Sequence, residues 1–368
     1  MPDMTPTYKN IHLKFKWNGF YFDRDELNEV AYSLVKEGEP YEQSVGDFLM
    51  DWLNEKDYID VKTSGSTGKP KLVRLKKQHM VNSAIATGNF FNVSVGDSAL
   101  HCLPAEYIAG KMMLIRALIL GLEIDLVAPS LYPLSDSDRK YDFCAMIPLQ
   151  LQNSLPYINL IKTIIVGGAA VSNELLEAIQ DKKALIYETY GMTETVTHIA
   201  AKQLNNLSED QSSKKNTFKT LPDVTVSKDD RNCLVINAPN ISDMSIVTND
   251  LVELKSDREF VWKGRYDNVI NSGGVKLLPE QIEAKLDGLI KERFFVAGLP
   301  DEKLGKKLVL IVEGDSVDKD ALFSKLKSLD TLDKFEIPKE IVFLPKFKET
   351  ENGKIKREKT LKKLKAHS

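Results

Sequence analysis

Between residue 59 and about residue 200 the chain keeps one rhythm, in which short apolar runs alternate with longer segments of helical spacing. The runs are "SALHCL", "EIDLVA", "DFCAMI", "KTIIVGG" and "KALIYETYG". Strands separated by helices favour crossover connections, so the rhythm predicts an α/β unit, a mixed or parallel sheet covered by helices. Length permits this: 368 residues with 42% hydrophobic content can bury a core and divide into more than one domain.

Upstream, Leu27, Val30, Ala31 and Leu34, then Val45, Phe48, Leu49, Trp52 and Leu53, predict two amphipathic helices within residues 23–56 that brace the Ser/Thr/Gly-rich segment after them. Downstream, the polar stretch "QLNNLSEDQSSKKN" reads as a loop feeding a smaller antiparallel β section built from "FKTL", "VTVSK", "CLVINA" and "EFVWKG". From residue 269 the content changes again. A Gly-Gly turn, a helix opened by Pro279, the runs "FFVAGL" and "KLVLIVEG", a helix near 318–328 and "EIVFL" predict a small α+β domain. In the basic tail "KIKREKTLKKLKAHS", Leu361 and Leu364 fit a solvated helix end better than a nucleic-acid or membrane patch.

Lys plus Arg number 50 against 53 Asp plus Glu, a net charge of −3, which gives no counterion-driven grip on nucleic acid and points to a small-molecule partner. Cys102, Cys144 and Cys233 are odd in number, far apart in sequence and without metal-ligand spacing. Reduced thiols in a cytoplasmic protein are therefore expected. The first residues carry no secretory pattern, and no stretch reaches the roughly 18 apolar residues of a membrane span.

One segment stands apart, "VKTSGSTGKPKLV" at residues 61–73. Its glycines let backbone amides close on an anion, and its hydroxyls and lysines suit phosphate. The spacing is not that of a Walker A loop, and Pro70 after Lys69 opposes a helix start. A flexible hairpin between two strands is expected, with a plain surface turn as the alternative.

"TSGSTGKPK" resembles the phosphate loop of the adenylate-forming superfamily, which contains acyl-CoA synthetases, peptide-synthetase adenylation domains and luciferases. Further stretches match in the family's order: "VGGAAVS", "YETYGMTET", "TNDLVEL", "KGRYDNVINSGGVKLLPEQIE" and "ENGKIKR". Within the superfamily, "LPAEYIAGKMMLIRAL" and "CAMIPLQLQ" are similar to the o-succinylbenzoate:CoA ligases of menaquinone biosynthesis. The resemblance implies a large ATP- and acyl-binding domain over residues 1–265 and a small mobile domain over 266–368.

It also implies roles. Ser64, Ser66, Thr67, Gly68 and Lys69 would hold the β and γ phosphates of ATP. Thr193 would bond the α-phosphate and Glu194 would hold Mg²⁺. Gly168, Ala169, Tyr190, Gly191 and Met192 would line the adenine side, Asp250 would meet the ribose, and Arg265 the ribose or a phosphate. Lys354 would neutralise charge as the acid attacks the α-phosphorus, Asp267 would be the hinge, and Gly273 and Gly274 would face coenzyme A. Arg116, with Lys111 as the alternative and Tyr107 nearby, would meet the acid, whereas His198 could face the acyl group but reads more readily as a packing residue.

Two departures from the family pattern stand out. The segment before the phosphate loop is shorter than usual, which puts the outer wall of the site and the oligomeric state in question, a homodimer included. Tyr107 stands where the family commonly has histidine. The alternatives are a different aryl- or fatty-acid ligase, an adenylation module loading a carrier protein, and a non-catalytic nucleotide-binding homologue.

Overall fold

Thirteen strands hydrogen-bond into one continuous sheet in the computed structural model, which describes residues 5–62, 71–135, 137–208, 216–315, 318–349 and 355–364. In chain order the elements before the phosphate segment are β1 (Lys16–Trp17), β2 (Phe20–Tyr21), α1 (Arg24–Glu37), α2 (Pro40–Leu53) and β3 (Tyr58–Lys62). After it come β4 (Leu72–Lys76), α3 (Lys77–Phe91), β5 (Ser98–His101), α4 (Ile108–Leu120), β6 (Glu123–Leu126), β7 (Tyr141–Met146) and α5 (Pro148–Asn153). The next are β8 (Ile161–Val166), α6 (Asn173–Ala178), β9 (Leu185–Gly191), β10 (His198–Gln203), β11 (Phe218–Thr220) and β12 (Thr225–Lys228). The unit closes with β13 (Cys233–Asn237), β14 (Ile246–Leu254) and β15 (Glu259–Arg265).

The expected α/β rhythm is present: β6, β5, β7, β8 and β9 run parallel side by side. Both faces of these strands are covered, so their apolar runs divide between two core clusters. Ala99 and Phe143 face the cluster that also holds Met112 and Ile115 of α4, while Leu100 and Cys144 face the one holding Leu151 and Leu175. The expected antiparallel section is present and continues the same sheet, because β10 pairs antiparallel with β9 and β11 to β15 extend the same ladder. Registry across β9 and β10 lets one sheet change from parallel to antiparallel without a new core.

α1 is opened by a reciprocal capping box, Asp23 accepting from the amides of Asp25 and Glu26 while Glu26 accepts from the Asp23 amide. It packs on α2, which buries Phe48, Leu49 and Trp52 in the main core. β3 and β4 form the expected hairpin around the phosphate segment, with Lys62 opposite Leu72. The phosphate-loop residues Ser64, Ser66, Thr67, Gly68 and Lys69 lie outside the described residues.

Beyond Arg265 a three-residue 3-10 turn, Tyr266–Asn268, leads to the hairpin β16 (Ile270–Ser272) and β17 (Val275–Leu277). α7 (Pro279–Leu286), β18 (Phe294–Asp301), β19 (Gly305–Glu313), α8 (Lys319–Lys327), β20 (Glu340–Leu344) and α9 (Arg357–Leu364) complete the chain. β19 pairs antiparallel with β18 and parallel with β20, and the two core clusters here contain only residues from Ile270 onward.

Cys102 and Cys144, 42 residues apart in sequence, are neighbours in space with Sγ atoms 3.9 Å apart, and all three cysteines are buried free thiols. Among the described residues no helix is long and apolar enough to cross a membrane.

Candidate nucleotide and acid site

The carboxyl ends of β8 and β9 carry the two motifs expected on the adenine side. Ligands of open α/β sheets bind outside such strand ends. After Val166 the chain turns at Gly168, whose φ of 88° is the left-handed conformation a side chain would resist, and Ala169 follows as an exposed bend. Thr189 on β9 donates from its hydroxyl to the Val166 carbonyl at 3.1 Å, fixing the turn to the neighbouring strand.

β9 ends at Gly191, where a Cβ would come within 2.2 Å of the Thr197 carbonyl oxygen, so only glycine allows this approach. Met192 leads into the 3-10 turn Thr193–Thr195, and Val196 then adopts φ 65°, ψ −59°. The Thr197 amide reaches back to the Thr195 carbonyl at 2.6 Å, a γ-turn of the rare positive-φ kind centred on a β-branched residue. Buried Thr195 braces it, accepting from the Met192 amide at 2.9 Å and lying 2.6 Å from the Thr197 carbonyl. The result leaves Glu194 exposed and Thr193 half-buried, with β4, the strand leaving the phosphate segment, packed against the turn.

Asp250 is the hub of the opposite wall. It is buried on β14, directly across from Arg265 on β15. Tyr190 donates its hydroxyl to Oδ2 at 2.8 Å, Trp262 donates Nε1–H to Oδ1 at 3.1 Å, and Arg265 Nη1 lies 3.6 Å from Oδ1. Burial, with the Asp250 charge beside it, keeps the Tyr190 phenol protonated well above its ordinary range. The Tyr190 ring is edge-on to Phe260 at 5.2 Å. Each carboxylate oxygen has two acceptor directions, so one on each remains for a sugar hydroxyl.

Arg265 also reaches Asp267 at 3.3 Å, and Asn249 donates to the same carboxylate at 3.2 Å. Arg231 holds Asn249 Oδ1 at 2.9 Å and lies over the Tyr266 ring at 5.3 Å. The expected hinge residue is thus gripped from both β14 and β15. Farther on, Asn173 at the start of α6 donates its amide to Asp287 at 2.7 Å and its side chain to the Ala284 carbonyl at 3.2 Å. Gly273 and Gly274 form the β16–β17 turn with φ values of 56° and 84°, Gly273 donating to the Leu304 carbonyl at 3.0 Å.

The acid-side candidates separate. Arg116 is buried within α4, its Nε and Nη2 without hydrogen-bond partners, and among the described residues no carboxylate pairs with it. Burial pushes its pKa down to about 9. An uncompensated interior cation is costly and is stable only where something else repays it. Lys111 is already committed, donating to the Ala105 carbonyl at 2.6 Å and lying 5.1 Å over the Phe48 ring of α2, with its pKa lowered by burial. Tyr107 is the half-buried N-cap residue of the same helix. His198, buried on β10, contacts Thr87 Oγ1 at 3.2 Å through Nε2; burial, then the Arg116 charge, holds it neutral.

Trp262, Thr87 and Arg231 were not legible as site residues. Trp262 sits in an ordinary alternating strand, and only the β14–β15 register brings its indole to Asp250. Lys354 lies outside the described residues. Among the described residues no group of three or more His, Cys, Asp or Glu could hold a metal. A single exposed carboxylate such as Glu194 nevertheless fits Mg²⁺, which is commonly held by one or two carboxylates together with substrate phosphates.

A family model described as AMP-binding enzyme matches residues 61–233. The 2-succinylbenzoate–CoA ligase of Listeria monocytogenes is 26% identical over 357 residues, 90% of this chain and 74% of that protein. An acyl-CoA synthetase (AMP-forming)/AMP-acid ligase II-like protein of Dyadobacter fermentans, solved as a crystal structure, is 35% identical, covers 92% of this chain and 98% of its own, and superposes with a TM-score of 0.60. The O-succinylbenzoate coenzyme A synthetase of Bacillus subtilis, in complex with ATP and magnesium ion, shares the fold with a TM-score of 0.72 at 21% identity, over 91% of this chain and 82% of its own. The chain belongs to the AMP-binding, adenylate-forming acyl-CoA ligase family.

Proposed function

We propose that the chain is an AMP-forming o-succinylbenzoate–CoA ligase, converting the acid, ATP and coenzyme A to the acyl thioester, AMP and diphosphate. The observation that carries this reading is the buried, unpaired Arg116. A monocarboxylic acid gives up its only charge in forming the adenylate and would leave that cation uncompensated. A second carboxylate would pair with it and stay there through both steps.

In the first step the other carboxylate of the acid attacks the α-phosphorus and diphosphate leaves. Ser64, Ser66, Thr67, Gly68 and Lys69 hold the leaving group, Thr193 bonds the α-phosphate and Lys354 neutralises the charge that builds there. Glu194 would hold Mg²⁺, which supplies charge neutralisation on the phosphates. Asp250 accepts from the ribose hydroxyls with Arg265 beside it, and the turn at Gly168 and Ala169 with Tyr190, Gly191 and Met192 bounds the adenine. In the second step the thiol of coenzyme A attacks the acyl carbonyl and AMP leaves, after residues 266–368 turn about Asp267. That turn must release the Asn249–Asp267 bond and the Asn173 contacts with α7.

The test is diphosphate release across o-succinylbenzoate, benzoate and a medium-chain fatty acid, followed by mass detection of the thioester. o-Succinylbenzoate should turn over far faster than the monoacids. A fatty acid turned over equally well overturns the substrate, and release from no acid overturns the activity.

A further inference from the structure

His198 shares the interior around α3 and α4 with Arg116, and its neighbours fix which ring nitrogen carries the proton. The hydroxyl of Thr87 on α3 donates to the Ser83 carbonyl one turn earlier, at 2.8 Å. A carbonyl can only accept, so the single hydroxyl hydrogen is committed there. The 3.2 Å contact between Thr87 Oγ1 and His198 Nε2 is therefore a donation from the ring. Nδ1 is left as a bare lone pair.

The ring is closely confined. It lies edge-on to Phe91 at 5.8 Å, and its strand is in register opposite Gly191. α3 presents the uncharged Thr87 and Phe91, and among the described residues the charge acting on His198 is that of Arg116 on α4. Burial, and after it that cation, keep the imidazole neutral in the free protein.

A carboxylate drawn to Arg116 thus approaches an acceptor rather than a donor. Opposed lone pairs in a buried site repel, and a proton between them removes the conflict. We propose that this site takes up its acid together with one solvent proton, shared between His198 Nδ1 and the carboxylate on Arg116, and that the Thr87–Ser83 relay makes that proton obligatory. The proposal rests on Arg116 as the receptor for the second carboxylate, and no covalent bond changes in it.

Calorimetry of the full chain with o-succinylbenzoate, in buffers of different ionisation heat near neutral pH, should show uptake of about one proton per acid bound. Between the free-state and bound-state titrations of His198 the affinity should fall about tenfold per pH unit. His198→Gln should bind without uptake and with a flat pH profile. Thr87→Val should also lose the uptake, because the ring can then move its proton to Nδ1 and donate it without drawing on solvent. In the wild type, ¹⁵N spectra of labelled histidine should show a bare Nδ1 in the free protein and two protonated nitrogens with acid bound. Binding without uptake, an unchanged Nδ1 signal, or full uptake retained in either folded variant overturns the proposal while leaving the substrate reading intact. Failure to bind the acid at all overturns the substrate reading and this proposal with it.

Discussion

Tyr190 on β9 and Asp250 on β14 lie 60 residues apart in sequence with three strands between them in the sheet, yet the phenol donates to the carboxylate at 2.8 Å. The bond aims a carboxylate that Trp262 holds from the other side. Tyr190→Phe should raise the KM for ATP about tenfold, the scale of a lost hydrogen bond to a charged group, with little change in that for the acid. The ATP dependence of diphosphate release measures this, and an unchanged KM would assign the pair to packing.

Arg116→Met should separate stability from activity. Replacing an unpaired interior cation by an apolar side chain of similar length should stabilise the fold by about 1–4 kcal/mol, seen as a higher midpoint in urea. The same variant should lose most of its preference for diacids over monoacids. A less stable variant would mean that the guanidinium has a protein partner after all.

Most of the architecture was readable because apolar periodicity and local turn chemistry dictate it. The five parallel strands, the two helices before β3 and the helix opened by Pro279 fall where short-range patterns put them. What could not be read depends on register. Nothing near Trp262 in sequence announces Asp250, and nothing near Thr87 announces His198; each pairing exists because strands or helices far apart in the chain arrive side by side. Lys111 and Arg116 share one helix, but five residues turn them to different neighbours, and only packing against α2 shows which one is already engaged. The continuous sheet was likewise invisible, since a polar stretch between β10 and β11 reads as a boundary whether or not the ladder resumes beyond it.

Lys354 and Asp267 should affect opposite halves of the reaction. Lys354→Ala should abolish most diphosphate release yet still form thioester from synthetic acyl-adenylate and coenzyme A. Asp267→Pro should slow thioester formation more than adenylation, because a fixed φ resists the turn. Equal loss of both half-reactions in folded Lys354→Ala would remove the lysine from this role.

Glu283 predicts a pH signature for the C-terminal unit. Burial raises its pKa to about 7, against the opposing pull of Arg357, whose Nη2 donates to it at 2.7 Å, and of the Val296 amide at 2.9 Å. The folded carboxyl keeps its proton to higher pH than the unfolded one, so its contribution is full below about pH 4.5 and declines as pH rises through 7. Relative to Glu283→Gln, the wild type should lose about 2–3 kcal/mol between those limits, measured by urea unfolding at a series of pH values. A constant difference would show that Arg357 compensates the ionised form completely.

The join between β9 and β10 makes Arg116, packed on the parallel half, and Asp250, carried by the antiparallel half, passengers on one girder. Under the proposed function, the distance from Arg116 at the acid's far end to Asp250 at the sugar is then a built-in ruler. A longer or shorter acid cannot be admitted by sliding one half against the other. Any change of substrate length must be carved into the side chains of α3 and α4, and relatives with other acids should differ there while leaving the strand register alone.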